Sequence, residues 1–187
     1  VVAVPEALAF LQSATAVWKN SAGGLTFSGV LARQRVFAKW APAEAGLDLA
    51  AERDRLDWIG HRFPVPEVID YGSDSSGEYL VTIAIEGTSA VSERWTGNPE
   101  KAVWAAGSAL RAFHDSLPVE SCPFDWSVSS RAITRVTRVP EAPEVDRLVV
   151  CHGDACVPNT LIGDNGGFVA LVDFGSLGVA DRWADIA

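Results

Sequence analysis

The stretch Val150-Cys151-His152-Gly153-Asp154-Ala155-Cys156-Val157-Pro158-Asn159, followed further on by Asp173-Phe174-Gly175, constrains this chain more than any other feature. Between the two motifs, Thr160-Leu161-Ile162 and the run from Phe168 to Asp173 flank Gly163-Asp164-Asn165-Gly166-Gly167. Two apolar runs around such a turn predict a β-hairpin, so a hairpin links the motifs. Each acidic or amide residue alone is an ordinary turn residue. Together, two carboxylates and a carboxamide in the order D-x4-N then D-F-G are what Mg²⁺-assisted phosphoryl transfer needs. Mg²⁺ takes oxygen ligands in an octahedral shell that it shares with phosphates, and Asn159 and Asp173 would supply two of them. Asp154, just past a strand end, is placed to accept the proton of an attacking hydroxyl.

Upstream, Pro5 to Ala16 reads as a short helix and Ser21 to Gly24 as a flexible turn. Leu25 to Ala32 and Val36 to Trp40 read as two strands around a polar turn, ended by Pro42. Leu47 to Arg62 is the clearest helix, with Leu49, Leu56 and Ile59 at helical spacing and Asp48 as cap. Val65 to Tyr71 and Tyr79 to Ile85 read as strands, with a turn between Ser73 and Gly77. Pro99 to His114 reads as a long helix that presents Val103, Leu110 and Phe113 on one side. Leu148 to Cys151 is an apolar strand, Ser127 to Pro140 is part helix and part loop, and a helix starts at Asp181. The break at Glu86-Gly87 is the candidate hinge between two lobes, an N-terminal one, residues 1–85, which the resemblance given below makes nucleotide-binding, and a C-terminal one, residues 86–187, which it makes the catalytic and substrate lobe, read as incomplete. The fold class is α+β.

Composition narrows the partners. The net charge is −9, which repels nucleic acid and anionic membrane surfaces and suits substrates carrying ammonium groups. Basic clusters with interleaved aromatics are missing, so neither nucleic acid nor membrane is expected as a partner. Cys122, Cys151 and Cys156 are too few and odd in number for a disulfide scaffold. With no basic, signal-like start, they set the expectation of a cytoplasmic protein, and a monomer is the default. Cys151, His152 and Cys156 lack a usual zinc spacing, so the cysteines are read as core and His152 as a brace for the loop. The seven tryptophans are read as packing residues, and Arg131, Arg135 and Arg138 as a solvated helix face.

His152-Gly153-Asp154 with Asn159, and Asp173-Phe174-Gly175 followed by Gly178-Val179-Ala180-Asp181-Arg182, resemble the aminoglycoside phosphotransferase family. Phe37-Ala38-Lys39 looks like its strand lysine, Glu52 to Trp58 like its partner helix, and the likeness covers nearly all of the chain from Gly23 onward. Phe37 to Pro42, Glu52 to Trp58 and Cys122-Pro123-Phe124 look closest to the streptomycin 3″ branch, with the 3′ branch, acting on kanamycin-like antibiotics, second. The resemblance implies a two-lobed protein-kinase-like fold: an antiparallel sheet with one helix, then a mainly helical lobe that carries the active-site hairpin. It implies ATP and Mg²⁺ as cofactors and a small cationic aminoglycoside as substrate. It assigns Lys39 to the α- and β-phosphates, Glu52 to holding Lys39, and the backbone of Ile83 and Ile85 to adenine. Gly23, Gly24 and Thr26 would cover the phosphates. The chain departs from the family where Ser176 stands for its usual Arg, in a short segment between Trp126 and Leu148, and after Ala187. A kinase for another small alcohol and an inactive nucleotide-binding remnant are the alternatives.

Overall fold

A computed structural model of the chain describes residues 2–132 and 144–186. The chain forms two compact units, residues 1–58 with 66–85, and residues 59–65 with 86–187.

The first unit is a five-stranded antiparallel sheet with one helix. Its strands are β1 (Gln12–Lys19), β2 (Leu25–Leu31), β3 (Gln34–Pro42), β4 (Val68–Asp74) and β5 (Gly77–Ile83), in the order β1-β2-β3-β5-β4. The turn between β2 and β3 is tight because Ala32 and Arg33 both take left-handed φ, 49° and 69°, which matches the twist of paired strands. Alternation then sorts the side chains. Phe27, Val36, Ala38 and Val81 form a core with Leu8 and Leu11, while Lys39 on β3 takes the opposite face. Helix α1 (Leu49–Ile59) opens with the Asp48 carboxylate accepting the Ala51 N–H at 2.7 Å, the cap expected from the sequence.

The N-terminal segment corrects one expectation. Pro5 to Ala16 is no helix: a single turn at Glu6–Leu8 leads straight into β1. Alanine and leucine favour helix, but Leu8 and Leu11 are buried under the sheet and Ala14 and Ala16 pack on the same core from the edge strand. Tertiary packing overrides a weak propensity. The strands expected at 65–71 and 79–85 also shift, to Val68–Asp74 and Gly77–Ile83.

The second unit is built on a long helix. After the short strand β6 (Thr88–Ser89) and the short helix α2 (Glu93–Thr96) comes α3 (Pro99–Ser116), the 18-residue helix, with proline at its first position. Its buried face is Ala102, Ala105, Ala109, Phe113 and His114. Val103, expected on that face, is exposed, and so is Trp104 at 77%. Next come α4 (Val128–Ala132), β7 (Leu148–Cys151), the hairpin β8 (Thr160–Ile162) and β9 (Phe168–Leu171), β10 (Gly178–Asp181) and α5 (Trp183–Ile186). The strands pair as β6-β8-β9 and β10-β7. The expected hairpin is therefore present. Arg135 and Arg138 lie outside the described residues, while Arg131 sits over the Trp126 ring at 5.3 Å. Among the described residues, no helix is long and apolar enough to cross a membrane.

Candidate active site

In the first unit, strand register sets Thr26 opposite Lys39 on one side and Leu80 on the other. The Lys39 Nζ lies 2.7 and 2.8 Å from the two carboxylate oxygens of Glu52, in the first turn of α1. Glu52 is only 6% exposed and Lys39 28%. A carboxylate that deep needs a partner, and the pair holds a flexible ammonium at one place on the sheet. The turn between β1 and β2 is self-contained. Asn20 Oδ1 accepts the Gly24 N–H at 2.8 Å, and the Asn20 carbonyl accepts the Gly23 N–H at 3.3 Å. Both glycine amides are thus used within the turn. Ile83 donates its N–H to the Glu67 carbonyl at 2.9 Å, and Ile85 follows the end of β5.

In the second unit, β7 delivers the chain to His152-Gly153-Asp154. Gly153 has φ +82°, and a Cβ there would lie 2.2 Å from the Ser176 carbonyl oxygen, so the loop after Asp173 packs directly on its backbone. His152 is fully buried. Its Nε2 lies 3.0 Å from the Val172 carbonyl oxygen, and its Nδ1 accepts the Asp154 N–H at 3.3 Å. That network assigns the neutral Nε2–H tautomer. Burial pushes the imidazole pKa down, against the neighbouring carboxylates of Asp185, Asp173 and Asp154, which pull the other way. The ring packs 4.5 Å from Phe174, which packs 5.6 Å from Phe113 on α3. The Phe of D-F-G and the His before the acid therefore share one buried cluster.

Asn159 ends a tight turn, Val157–Asn159. Its Nδ2 donates to the Asp154 carbonyl at 2.9 Å and to the Asp154 Oδ2 at 3.2 Å. The Asn159 carbonyl accepts the N–H of Val172, the residue before Asp173, at 3.0 Å. With Nδ2 committed to Asp154, Oδ1 is the atom Asn159 can offer a cation. Asp173 itself takes φ +72°, sparsely populated for a residue with a side chain. The structure thus brings Asp154, Asn159 and the backbone leading into Asp173 together. The donor set consists of carboxylate and carboxamide oxygens, which fits a hard divalent cation.

Sequence reasoning overlooked two residues here. Asp185, on α5, is buried and accepts the N–H groups of His152 and Gly153 at 2.7 and 2.8 Å and meets His114 Nε2 at 2.9 Å. Nothing local marks the pair, since His114 and Asp185 are far apart in the chain. The only hint was an acidic residue set among apolar neighbours in Trp183-Ala184-Asp185-Ile186. Strand β10 was also missed; it pairs with β7 and sets where β7 ends. Cys151 is buried as expected, but Cys156 is exposed, on the turn beside Asp154, and is not core. His114, Cys151 and Asp185 lie within 4.8 Å of one another. Both Asp185 oxygens already accept hydrogen bonds, and burial holds the Cys151 thiol protonated, so this trio is not built for a metal.

Comparison with known proteins places this arrangement. The phosphotransferase enzyme family profile matches residues 18–136 and 130–187. An aminoglycoside 3′-phosphotransferase of Streptomyces fradiae is 37% identical over 178 residues, covering 79% of this chain and 65% of the relative. A streptomycin 3″-kinase of Streptomyces griseus is 35% identical over 186 residues, covering 81% and 67%. The chain therefore spans about two thirds of the length of these relatives. A solved aminoglycoside phosphotransferase of Streptomyces rimosus, in complex with ADP and streptomycin, superposes with a TM-score of 0.67 at 27% identity, over 90% of this chain and 74% of that one. With a lysine–glutamate pair joining its sheet to helix α1 and an Asp–Asn–Asp set around its hairpin, the chain belongs to the phosphotransferase enzyme family.

Proposed function

We propose that this protein is an ATP-dependent aminoglycoside O-phosphotransferase that phosphorylates the 3″-hydroxyl of streptomycin. The observation that carries the reading is the Asp154–Asn159 hydrogen bond beside the chain leading into Asp173. Asp154 accepts the proton of the attacking hydroxyl and aims its oxygen in line with the γ-phosphorus. Asn159 and Asp173 would hold Mg²⁺, which would neutralise charge on the phosphate oxygens. Lys39, fixed by Glu52, contacts the α- and β-phosphates. Thr26 lies beside Lys39 on β2, which supports a place for it at the phosphates. Gly23 and Gly24 spend their amides on Asn20, so any cover from that turn comes from other atoms. For adenine, Ile85 and the Ile83 carbonyl are the backbone positions, the Ile83 N–H being engaged with Glu67. The acidic chain, at −9, favours a polycationic acceptor. We place the protein in the cytoplasm, as a monomer.

The similarity to the S. fradiae enzyme supports a second reading, transfer to the 3′-hydroxyl of kanamycin-like antibiotics. An ADP-release assay with streptomycin and kanamycin side by side separates the two. The first reading expects turnover with streptomycin and little with kanamycin, and the second the reverse. Release with other small alcohols alone would make the protein a kinase of different specificity. Nucleotide binding without release on any acceptor would make it an inactive remnant.

A further inference from the structure

Helix α1 is joined to its sheet at Glu52 by Lys39, and a second joint lies one turn earlier. The Glu78 Oε1 accepts the N–H of Leu49, the first residue of the helix, at 2.7 Å. That N–H is among those a helix leaves without an internal partner, and a carboxylate there also suits the positive end of the helix dipole. Asp48 serves the Ala51 N–H in the same turn. The two carboxylates do different things. Asp48 lies on the chain entering the helix, so its bond moves with the helix. Glu78 stands 29 residues away in sequence, on β5, so its bond fixes the helix start against the sheet. Glu78 is itself held: its Oε2 accepts the Tyr71 hydroxyl, from the neighbouring strand β4, at 2.9 Å. That hydrogen bond pushes the Tyr71 pKa up, so the phenol stays a donor. The Arg53 guanidinium of α1 lies 4.5 Å from the centre of the same tyrosine ring. Strand register closes the circuit, since Lys39 on β3 pairs with Leu80, two residues past Glu78 on β5.

We propose that Glu78 is a positioning residue for nucleotide binding: held by the Tyr71 hydroxyl, its carboxylate pins the first amide of α1 to the sheet and so sets where Glu52 meets Lys39. The two joints sit three residues apart on the helix, about 4.5 Å along its axis. One joint alone leaves the helix free to pivot about the lysine. Two joints fix its tilt as well, and the ammonium then keeps one place over the sheet. Glu78 touches no nucleotide in this account; it acts through Glu52, and Glu52 through Lys39. The inference rests on Lys39 contacting the phosphates, as in the proposed function.

The test is calorimetric titration of the full chain with ADP and Mg²⁺, wild type against Glu78→Ala, Glu78→Gln and Glu52→Gln. Glu78→Ala should weaken ADP binding about tenfold. Glu78→Gln keeps a carbonyl oxygen for the Leu49 N–H and should stay within about threefold of wild type. In a Glu52→Gln background, Glu78→Ala should weaken binding by less than about twofold, because the group it positions is already gone. Leu11→Ala, in the core on the opposite face of the sheet, serves as control: it should lower Tm and leave ADP affinity unchanged. Wild-type affinity in Glu78→Ala would overturn the proposal. So would no rescue by Glu78→Gln, an equal loss with and without Glu52, or a loss that Leu11→Ala reproduces at equal Tm. If Glu78→Ala does not fold, Tyr71→Phe decides: binding weaker by about threefold is expected, and wild-type affinity overturns the proposal. If the wild type binds no ADP, the functional reading has failed, and urea unfolding still decides the positioning. The Lys39–Glu52 coupling from a double-mutant cycle, expressed as a ratio of unfolding constants, should fall about fivefold or more in Tyr71→Phe/Glu78→Gln. An unchanged ratio overturns it.

Discussion

Replacing Asp154 with asparagine removes the proposed acceptor of the hydroxyl proton while keeping a side chain that can bond to Asn159. We expect kcat to fall by about a thousandfold, within the range of positioned general bases, with ADP affinity by calorimetry within a few-fold of wild type. The Lys39–Glu52 pair is a second residue-scale test. Lys39→Met leaves Glu52 buried without its ammonium, a change that costs about 3–5 kcal/mol where a buried pair is broken. Lys39→Met/Glu52→Gln should recover much of that in urea unfolding, while neither variant should keep wild-type KM for ATP. The third test concerns protons. Burial holds the His152 pKa below 6.5, so the unfolded chain takes up a proton that the folded chain refuses. Stability is then full above about pH 6.5 and falls as the pH drops below it, by up to ~1.4 kcal/mol per pH unit. Asp185, held below 3.8, adds its own loss only at much lower pH, as the solution passes its folded value. Urea titrations from pH 7.5 to 5 should show the first decline, and His152→Asn should flatten it.

The elements carry the site because two loops lie against each other. Gly153→Ala would push a methyl onto the Ser176 carbonyl at 2.2 Å with φ +82°, displacing either the loop before Asp154 or the loop after Asp173. We expect a loss of about 2 kcal/mol or more in stability and a fall in kcat, both by the same variant. Some elements were legible from the residues alone. Helix α1 announced itself through Asp48 and the spacing of Leu49, Leu56 and Ile59, and the β8–β9 hairpin through its Gly-Asp-Asn-Gly-Gly turn. The Asp154–Asn159 approach was legible too, because one short turn closes it. Other features were not. The buried face of α3 is mostly alanine, and small residues that let a helix pack closely leave little mark in a pattern read from Val103 and Leu110. Strand β1 was hidden behind helix-favouring alanines, and the Asp185–His114 contact joins residues with no shared local pattern.

At the scale of the molecule, each unit holds its own part of the proposed machinery: a lysine–glutamate pair between a five-stranded sheet and helix α1 in one, and an acidic and amide cluster around a hairpin in the other. The charge of −9 belongs to this scale as well. If it draws in a cationic antibiotic, KM for streptomycin should rise with ionic strength between 0.05 and about 0.3 M while kcat stays nearly constant, because screening weakens encounter more than chemistry. The account's central claim is that Asp154, Asn159 and Asp173 direct a phosphoryl group onto an antibiotic hydroxyl. Mass spectrometry of streptomycin after incubation with ATP, Mg²⁺ and the protein tests it most directly. The account predicts streptomycin carrying one phosphoryl group with wild type, and unchanged streptomycin with Asp154→Asn or with EDTA. Equal product from the Asp154→Asn protein would contradict it, and so would unmodified streptomycin and kanamycin from a folded, nucleotide-binding wild type.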